Sequence, residues 1–593
     1  MINRRFVIMR DKNRWSIAGE FEKRNWPARL LAVLSLSGIL VMPSLVSAAP
    51  AGFEQVNSVV PTDREIQRRG DNPAAQLERN REEMERLRFQ EQIEEDMTKR
   101  GAKVERKDTT SEQKIEDEVT FRLQKINMDA SEILKQEELN AITSAYLDRE
   151  VAIKDLREMT EKINRLYSEK GYMTCRAILP PQRIHAGEVS VRLIEGKTGY
   201  VIVSGNRHTK ERYIKDWFSL KPGEIAKTTD LNRELQRFNG TNDAQLRMLL
   251  RAGKEPGTTD YEIIIYEPQN QTVTLYVDNG GYETTGTVRE GIFYNMRSVS
   301  GIRDSLRANY LHSRGTESWA LGYTLPLNRR GMKLDFDYSG NTTDVKKGPF
   351  RDWGIKGHAA AASMTLRVPF QVDEHSRHEA GLQFLYQKSK TDIGTKIPGA
   401  RTNLTNDSVR RYSPYVSFIH YGKSSVLHHR YSVLFTNRKN IDGVSDSPQI
   451  YQASFFWQKR YHGGQTIQAQ LDGQWTWKDM LSSSDRFYIG GANSVRGYEE
   501  SFLSGEKGFS GSLTYNLPLN KKQTYRFYTF LDYGMVSGDS TLEDHILASG
   551  GVGLSATFRN LSAGLSVGIP FRRKFMGEEV KKARIHFAVS GTM

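Results

Sequence analysis

The residues best placed to do chemistry are an arginine and an aspartate 36 positions apart. Arg496 sits in Tyr488-Ile489-Gly490-Gly491-Ala492-Asn493-Ser494-Val495-Arg496-Gly497-Tyr498, a loop built from residues that tolerate unusual backbone angles. Asp532 lies in Tyr525–Gly534, a stretch that otherwise reads as an aromatic strand. A guanidinium between an aliphatic and an aromatic residue, and a lone carboxylate in a strand, hold charge in place but supply no nucleophile. Other reactive motifs are missing as well: the chain has no convincing Ser/His/Asp set, no H-E-x-x-H and no P-loop. A single cysteine, Cys175, excludes an intramolecular disulfide and a cysteine-based metal cluster, and His428-His429 reads as part of a strand. No catalytic residue, cofactor site, nucleotide site or metal site is expected.

The elements that position these residues follow from bulk properties and periodicity. A chain of 593 residues is too long for one ordinary domain. A hydrophobic content of 38% and a mean hydropathy of −0.59 exclude a bundle of membrane helices. Yet Gly, Tyr and Phe number 49, 26 and 25, which suits a membrane β-barrel, where only every second residue meets lipid. The formal charge of +14 includes +5 from residues 1–29, eight Lys/Arg against three Asp/Glu, leaving +9 without them. A basic balance suits an anionic membrane surface, and no nucleic-acid motif accompanies it.

Leu30 to Val41 is an apolar run too short to span a bilayer as a helix. Basic residues precede it, Pro43 breaks it and Val46-Ser47-Ala48 offers small residues for cleavage, the pattern of a secretory signal peptide over residues 1–48. Within the N-terminal segment 49–98, Asn72-Pro73 supplies an N-cap followed by an N1 proline. Pairs such as Glu82–Arg86 then support a helix with no continuous apolar stripe. From Ala74 to Thr98 it would extend about 37 Å. Such a helix is either solvated and linker-like or sits in a polar channel. Residues 99–117 read as polar linker.

Residues 118–196 and 197–269 each read β-α-α-β-β, so two small α+β modules stand in tandem, with exposed sheet edges where an extended peptide could add as a strand. After Pro268 the helical period vanishes. Leu561, Ala563, Leu565, Val567 and Ile569 alternate with Ser562, Gly564, Ser566 and Gly568, the dyad of a barrel wall. Eleven strands fit before the glycine loop, beginning near 271, 287, 305, 317, 331, 359, 377, 409, 425, 450 and 465. Five fit after it, near 509, 525, 549, 561 and 583, giving a 16-stranded antiparallel transmembrane barrel over 270–593. If the modules lie in the periplasm, the connection after strand eleven is extracellular, and at about 30 residues it is long enough to fold back inside.

Gly490-Gly491 with Val495-Arg496-Gly497-Tyr498, followed by Phe530-Leu531-Asp532-Tyr533-Gly534, resembles the two-partner secretion transporters (TpsB type) of Gram-negative outer membranes. Their superfamily also includes barrel-assembly proteins. Leu179-Pro180-Pro181-Gln182 before Gly187 matches the first module of that family, a polypeptide-transport-associated (POTRA) domain. The resemblance implies an outer-membrane pore that exports a large cognate exoprotein, an adhesin, haemolysin or contact-dependent toxin, docked through its N-terminal secretion domain. It implies that the V-R-G-Y loop folds into the lumen, where Arg496 pairs with Asp532, and that residues 74–98 form a plug helix. The strand agrees: Tyr525, Phe527, Leu531 and Tyr533 form an apolar face, placing Asp532 inward with Arg526 and Tyr528. A monomer is expected. Two rivals are a barrel-insertion factor, which should carry more modules and lack the leading helix, and an outer-membrane lipase.

Overall fold

The computed structural model describes residues 72–98, 104–106, 120–348, 350–394, 401–538, 545–575 and 578–593. The segment read from sequence as a signal peptide lies outside them. Sixteen antiparallel strands close into a barrel. They are β1 (Gln271–Asp278), β2 (Arg289–Arg297), β3 (Ser305–Ser313), β4 (Thr316–Pro326), β5 (Lys333–Asp344), β6 (Lys356–Val372), β7 (Ser376–Gly394) and β8 (Arg401–Tyr421). The other half comprises β9 (Ser425–Lys439), β10 (Gln449–Arg460), β11 (Thr466–Thr476), β12 (Lys507–Pro518), β13 (Tyr525–Ser537), β14 (Ile546–Phe558), β15 (Leu561–Pro570) and β16 (Arg584–Thr592). Every strand pairs with its sequence neighbours, and β1 closes on β16 through Thr274–Asp278 against Ala588–Thr592.

The period-2 pattern drives this wall. On β13 the outward Tyr525, Leu531 and Tyr533 are exposed while Phe530 and Asp532 are buried inside. On β15 the outward Leu561, Leu565 and Ile569 are exposed. Such apolar side chains gain by meeting lipid, and closure leaves no strand edge in the bilayer. The strand expected near residue 409 begins instead at Arg401. Its upper part faces outward with Asn406 and Arg410, so it lacks the apolar member of the dyad that marks lipid-facing strands.

The two modules precede the barrel. In the first, α2 (Gln136–Thr143) and α3 (Ile153–Glu169) cover strands Lys125–Met128, Glu188–Ile194 and Arg176–Ile178. Leu156, Met159, Ile163 and Tyr167 of α3 meet Val189, Val191 and Leu193, alternate residues of the central strand. In the second, α4 (Glu211–Lys215) and α5 (Thr228–Thr241) cover strands Gln245–Ala252, Thr258–Tyr266 and Lys197–Ser204. Leu231, Leu235 and Phe238 pack on Leu246, Met248, Tyr261 and Ile263. Residues 104–106, read from sequence as linker, form a strand on this second sheet.

The second module is fastened to the turn between β2 and β3. The Arg303 guanidinium, almost fully buried, forms a double contact with Asp243, with Nε 2.8 Å from Oδ1. Ser298 Oγ donates to the His208 carbonyl at 2.9 Å, and Lys210 N donates to the Gly301 carbonyl at 2.9 Å. Within this junction the Glu267 carboxylate accepts the backbone N–H groups of His208 and Thr209, both at 2.9 Å.

Candidate functional site

Between β11 and β12 the chain turns back into the lumen. Phe487–Ile489 and Leu503–Gly505 pair as a short hairpin, and the glycine loop hangs between them. Gly490, Gly491 and Gly497 all have positive φ, so the tight return depends on residues without a Cβ. Ile489, Val495, Tyr498 and Leu503 form an apolar cluster with Val536, Leu547 and Phe575, so the loop is packed on the wall.

This packing aims Arg496 at Asp532. Nε donates to Oδ2 at 2.8 Å and Nη2 to Oδ1 at 2.7 Å, a bidentate fork, while the Arg496 backbone N–H donates to Oδ2 at 3.0 Å. The Asp532 side chain is fully buried. Ser512 Oγ, directly across the β12–β13 ladder, donates to Oδ1 at 2.8 Å and accepts from Arg496 Nη2 at 2.8 Å. The guanidinium lies 3.5 Å above the centre of the Phe530 ring. The planar bidentate fork stacked on the ring is specific to arginine; an ammonium can sit over the ring face but cannot offer the two parallel donors.

Each residue of the F-x-D-x-G strand thus has a place. Phe530 carries the guanidinium, Asp532 binds it, and Gly534 leaves room: a Cβ there would sit 2.9 Å from Val495 Cγ2. Gly497 approaches Gly568 of β15 so closely that a Cβ on Gly568 would lie 2.6 Å from Gly497 N. The Tyr498 hydroxyl stands within hydrogen-bond reach of the Ala548 carbonyl at 3.1 Å and the Arg572 carbonyl at 2.9 Å. The structure brings Val495, Arg496, Gly497, Tyr498, Phe530, Asp532 and Gly534 into one locus. Ser512 and Gly568 belong to it too, and sequence reasoning missed them; Ser512 shows only as one of the small polar residues facing inward on β12.

Pro180, Pro181, Gln182 and Gly187 lie elsewhere, in the first module. Gln182 exchanges two hydrogen bonds with the backbone of Ser190, Nε2 to O at 2.8 Å and Oε1 from N at 2.7 Å, extending the sheet as a strand would. Gly187 has φ +69 and presses on the Arg122 backbone. Gln182 and Gly187 thus make contacts within the module itself.

The remaining lumen holds α1 (Pro73–Thr98). Asn72 Oδ1 caps it, accepting Ala74 N at 2.8 Å, and Pro73 packs against Gly357 on β6. Its charged residues face charged walls. Arg411 binds Glu78 at 2.9 Å and also Asp485 in the inward loop. Arg289 binds Glu83 at 2.9 Å and Asp278 at 2.8 Å. Arg79 reaches Ser501 and lies over the Tyr282 and Tyr488 rings, and Arg86 donates to the Asn493 carbonyl at 2.9 Å. Among the described side chains its apolar contacts form two patches: Ala74 and Leu77 on Ala359, Ala361 and Leu385, and Phe89 and Ile93 with Ile419, Tyr421, Val426 and Phe456.

A polar helix lying in a barrel beside an arginine-pinned loop, with two modules ahead of the first strand, matches a known arrangement. Residues 259–556 match the model of the haemolysin secretion/activation protein family ShlB/FhaC/HecB, and residues 121–196 match the ShlB-type POTRA domain. The chain belongs to this family. The transporter is 23% identical over 480 residues to the outer membrane transporter CdiB of Dickeya dadantii, covering 76% of this chain and 83% of that one. It is 22% identical over 455 residues to the heme/hemopexin transporter protein HuxB of Haemophilus influenzae, covering 73% and 78%. Its fold superposes on CdiB from Escherichia coli with a TM-score of 0.65 at 16% identity, covering 88% of this chain and 99% of that one. It is an outer-membrane transporter of the two-partner secretion type.

Proposed function

We propose that the transporter exports one large exoprotein by recognising its N-terminal secretion domain in the periplasm and passing it, unfolded, outward through the barrel as a monomer. Relatives named as a heme/hemopexin transporter and a hemolysin transporter support a secreted cargo. The observation that carries the reading is the content of the lumen. One element, the V-R-G-Y loop, is bound to the wall through a buried ion pair and an apolar cluster. The other, α1, is bound mainly by ion pairs to the walls of a polar cavity, and it precedes the modules in the chain. In this scheme the modules at 118–196 and 197–269 receive the exoprotein, α1 is the displaceable plug and the loop shapes the open path. The driving force is folding of the exported chain outside, with no nucleotide hydrolysis and no catalytic step.

The test is export of the cognate exoprotein from cells carrying the full transporter or a form lacking residues 120–269. The exoprotein should reach the medium only with the full chain, and its N-terminal fragment should bind the purified full chain less tightly at high salt. Equal binding to the form lacking the modules would overturn the reading.

A further inference from the structure

The inward faces of the barrel strands are not alike. From β3 to β9 the lumen carries ionised side chains, among them Arg307, Asp335, Asp337, Arg367, Arg411 and Arg430, all bordering one cavity of about 530 Å³. Three ion pairs of α1 go to this side: Glu78 to Arg411 at 2.9 Å, Arg88 to Asp337 at 3.7 Å and Glu85 to Arg430 at 3.9 Å. Further round the barrel the same cavity is bounded by β10 and β11, whose inward residues are of another kind.

On β11 the inward set is Gln468, Gln470, Asp472 and Gln474, while Leu471 and Trp475 are exposed on the outer face. Across the β10–β11 ladder these four stand opposite Gln458, Phe456, Ser454 and Gln452. The amides are linked to one another. Gln452 Nε2 donates to Gln474 Oε1 at 3.2 Å and Gln468 Nε2 to Gln458 Oε1 at 3.0 Å. The one carboxylate among them, Asp472, accepts the Gln470 amide at 2.7 Å. The wall does not need these links to close, since backbone pairing runs without a break from Ile450 to Arg460.

An unfolded polypeptide carries one N–H donor and one C=O acceptor per residue, and in a confined passage each needs a partner. A side-chain amide offers a donor and an acceptor together and carries no net charge. Its hydrogen bonds exchange with those of water and of the next peptide group, so a moving chain is guided without being held, the balance that any conducting path requires. Guanidinium and carboxylate groups bind their partners more strongly, which suits a resident element better than a passing one. The spacing fits as well. Inward residues of β11 recur about 6.8 Å apart, and an extended polypeptide presents equivalent peptide groups at the same interval. A chain running alongside β11 meets the amides in step.

We propose that the inward amides of β10 and β11, Gln452, Gln468 and Gln470 foremost, are the track along which the backbone of the exported polypeptide slides, extended and without regard to its sequence. The proposal rests on the reading that the exoprotein passes through the barrel. It adds which wall the chain follows and what that wall recognises, the peptide backbone itself. Gln474 stays outside the track, because its amide donates to the Asp485 carbonyl at 2.7 Å and so serves the inward loop.

The test uses the full chain in cells exporting the cognate exoprotein, stalled in transit by a fused C-terminal domain that folds before export. A photo-crosslinking benzoylphenylalanine replaces Gln452 or Gln470 on the track, or Thr365 or Gln383, which border the cavity on β6 and β7. The two track positions should capture the exoprotein at least fivefold more than the other two. Gln452→Leu, Gln468→Leu and Gln470→Leu combined should cut secretion of the unstalled exoprotein at least tenfold while the barrel keeps its heat-resistant mobility. The same three positions changed to Asn should keep secretion within about threefold of the parent, and Gln383→Leu, an amide outside the track, within about twofold. If the Leu form loses its mobility, the capture ratio alone decides. Equal capture from both pairs of positions, a Leu form that secretes like the parent, or an Asn form as impaired as the Leu form would overturn the proposal. Capture from Thr365 and Gln383 alone would overturn it while sparing passage through the barrel. Capture from none of the four, with the unstalled exoprotein still reaching the medium, would overturn both.

Discussion

The loop and the helix share one lumen and use the same chemistry, arginine against carboxylate, yet they are held in opposite ways. Arg496 and Asp532 meet in a dry corner backed by Val495, Tyr498 and Phe530, with glycines on two strands admitting the loop backbone. Stranding either charge there costs about 3–5 kcal/mol, because no water is at hand to replace the lost partner. The ion pairs of α1, Arg411 with Glu78 and Arg289 with Glu83, are mostly buried too, but they line a polar cavity and have no apolar cluster behind them. Among its described side chains the apolar contacts form two small patches rather than a stripe. The difference teaches that the identity of a salt bridge says little about permanence; the packing behind it decides.

Breaking the loop side should produce the largest effect. Arg496→Ala and Asp532→Ala should each reduce secretion at least tenfold while the barrel keeps its heat-resistant mobility in detergent gels. Arg496→Lys should also be impaired. The double variant should be little worse than either single, and losses that multiply would show that the two side chains do not act together. On the helix side, deleting Pro73–Thr98 should raise resting conductance severalfold in planar bilayers, and unchanged conductance would return α1 to the status of a linker. A finer contrast lies within one strand. Gly568→Ala places a methyl against the Gly497 backbone and should lower secretion several-fold, whereas Gly564→Ala, with open space around it, should stay within about twofold. The smallest effect is expected outside the lumen. Burial pushes the Cys175 thiol up to about 11, so it should resist maleimide at neutral pH until the protein is denatured, and Cys175→Ala should secrete like the parent. Ready labelling of the native chain would show that the first module opens, and would change which part of the molecule counts as fixed.

Much of this was legible in the sequence because period 2 and period 3.6 are strong signals. The apolar face of α3 at Leu156, Met159 and Ile163 and the outward set of β15 follow from spacing alone. Strand β8 was misplaced at its start because above the bilayer both faces are polar and the dyad carries no contrast. The contact of Arg496 with Asp532 came from a motif; nothing in the spacing of two residues 36 apart reveals a fork. Ser512 and Gly568 join the site through register and close approach, and small residues leave no local mark of either role. The strand Val104–Arg106 is set by a partner about 140 positions away, which local composition does not record.

Strands β6, β7 and β8 run to 17, 19 and 21 residues, while β1 has eight. Along β7 the outward residues change from Leu382 and Phe384 to Lys388, Lys390 and Asp392, and β8 shows the same turn to polar residues at Arg410 and Asn406. The upper eight or so residues of this ribbon therefore rise about 26 Å beyond the greasy band. On a living cell that makes one flank of the pore a balcony in the surrounding medium. Antibodies, phage tail fibres and proteases would meet this ribbon, and its outward residues can change under their pressure while the inward Ser389, Thr391 and Ile393 stay buried.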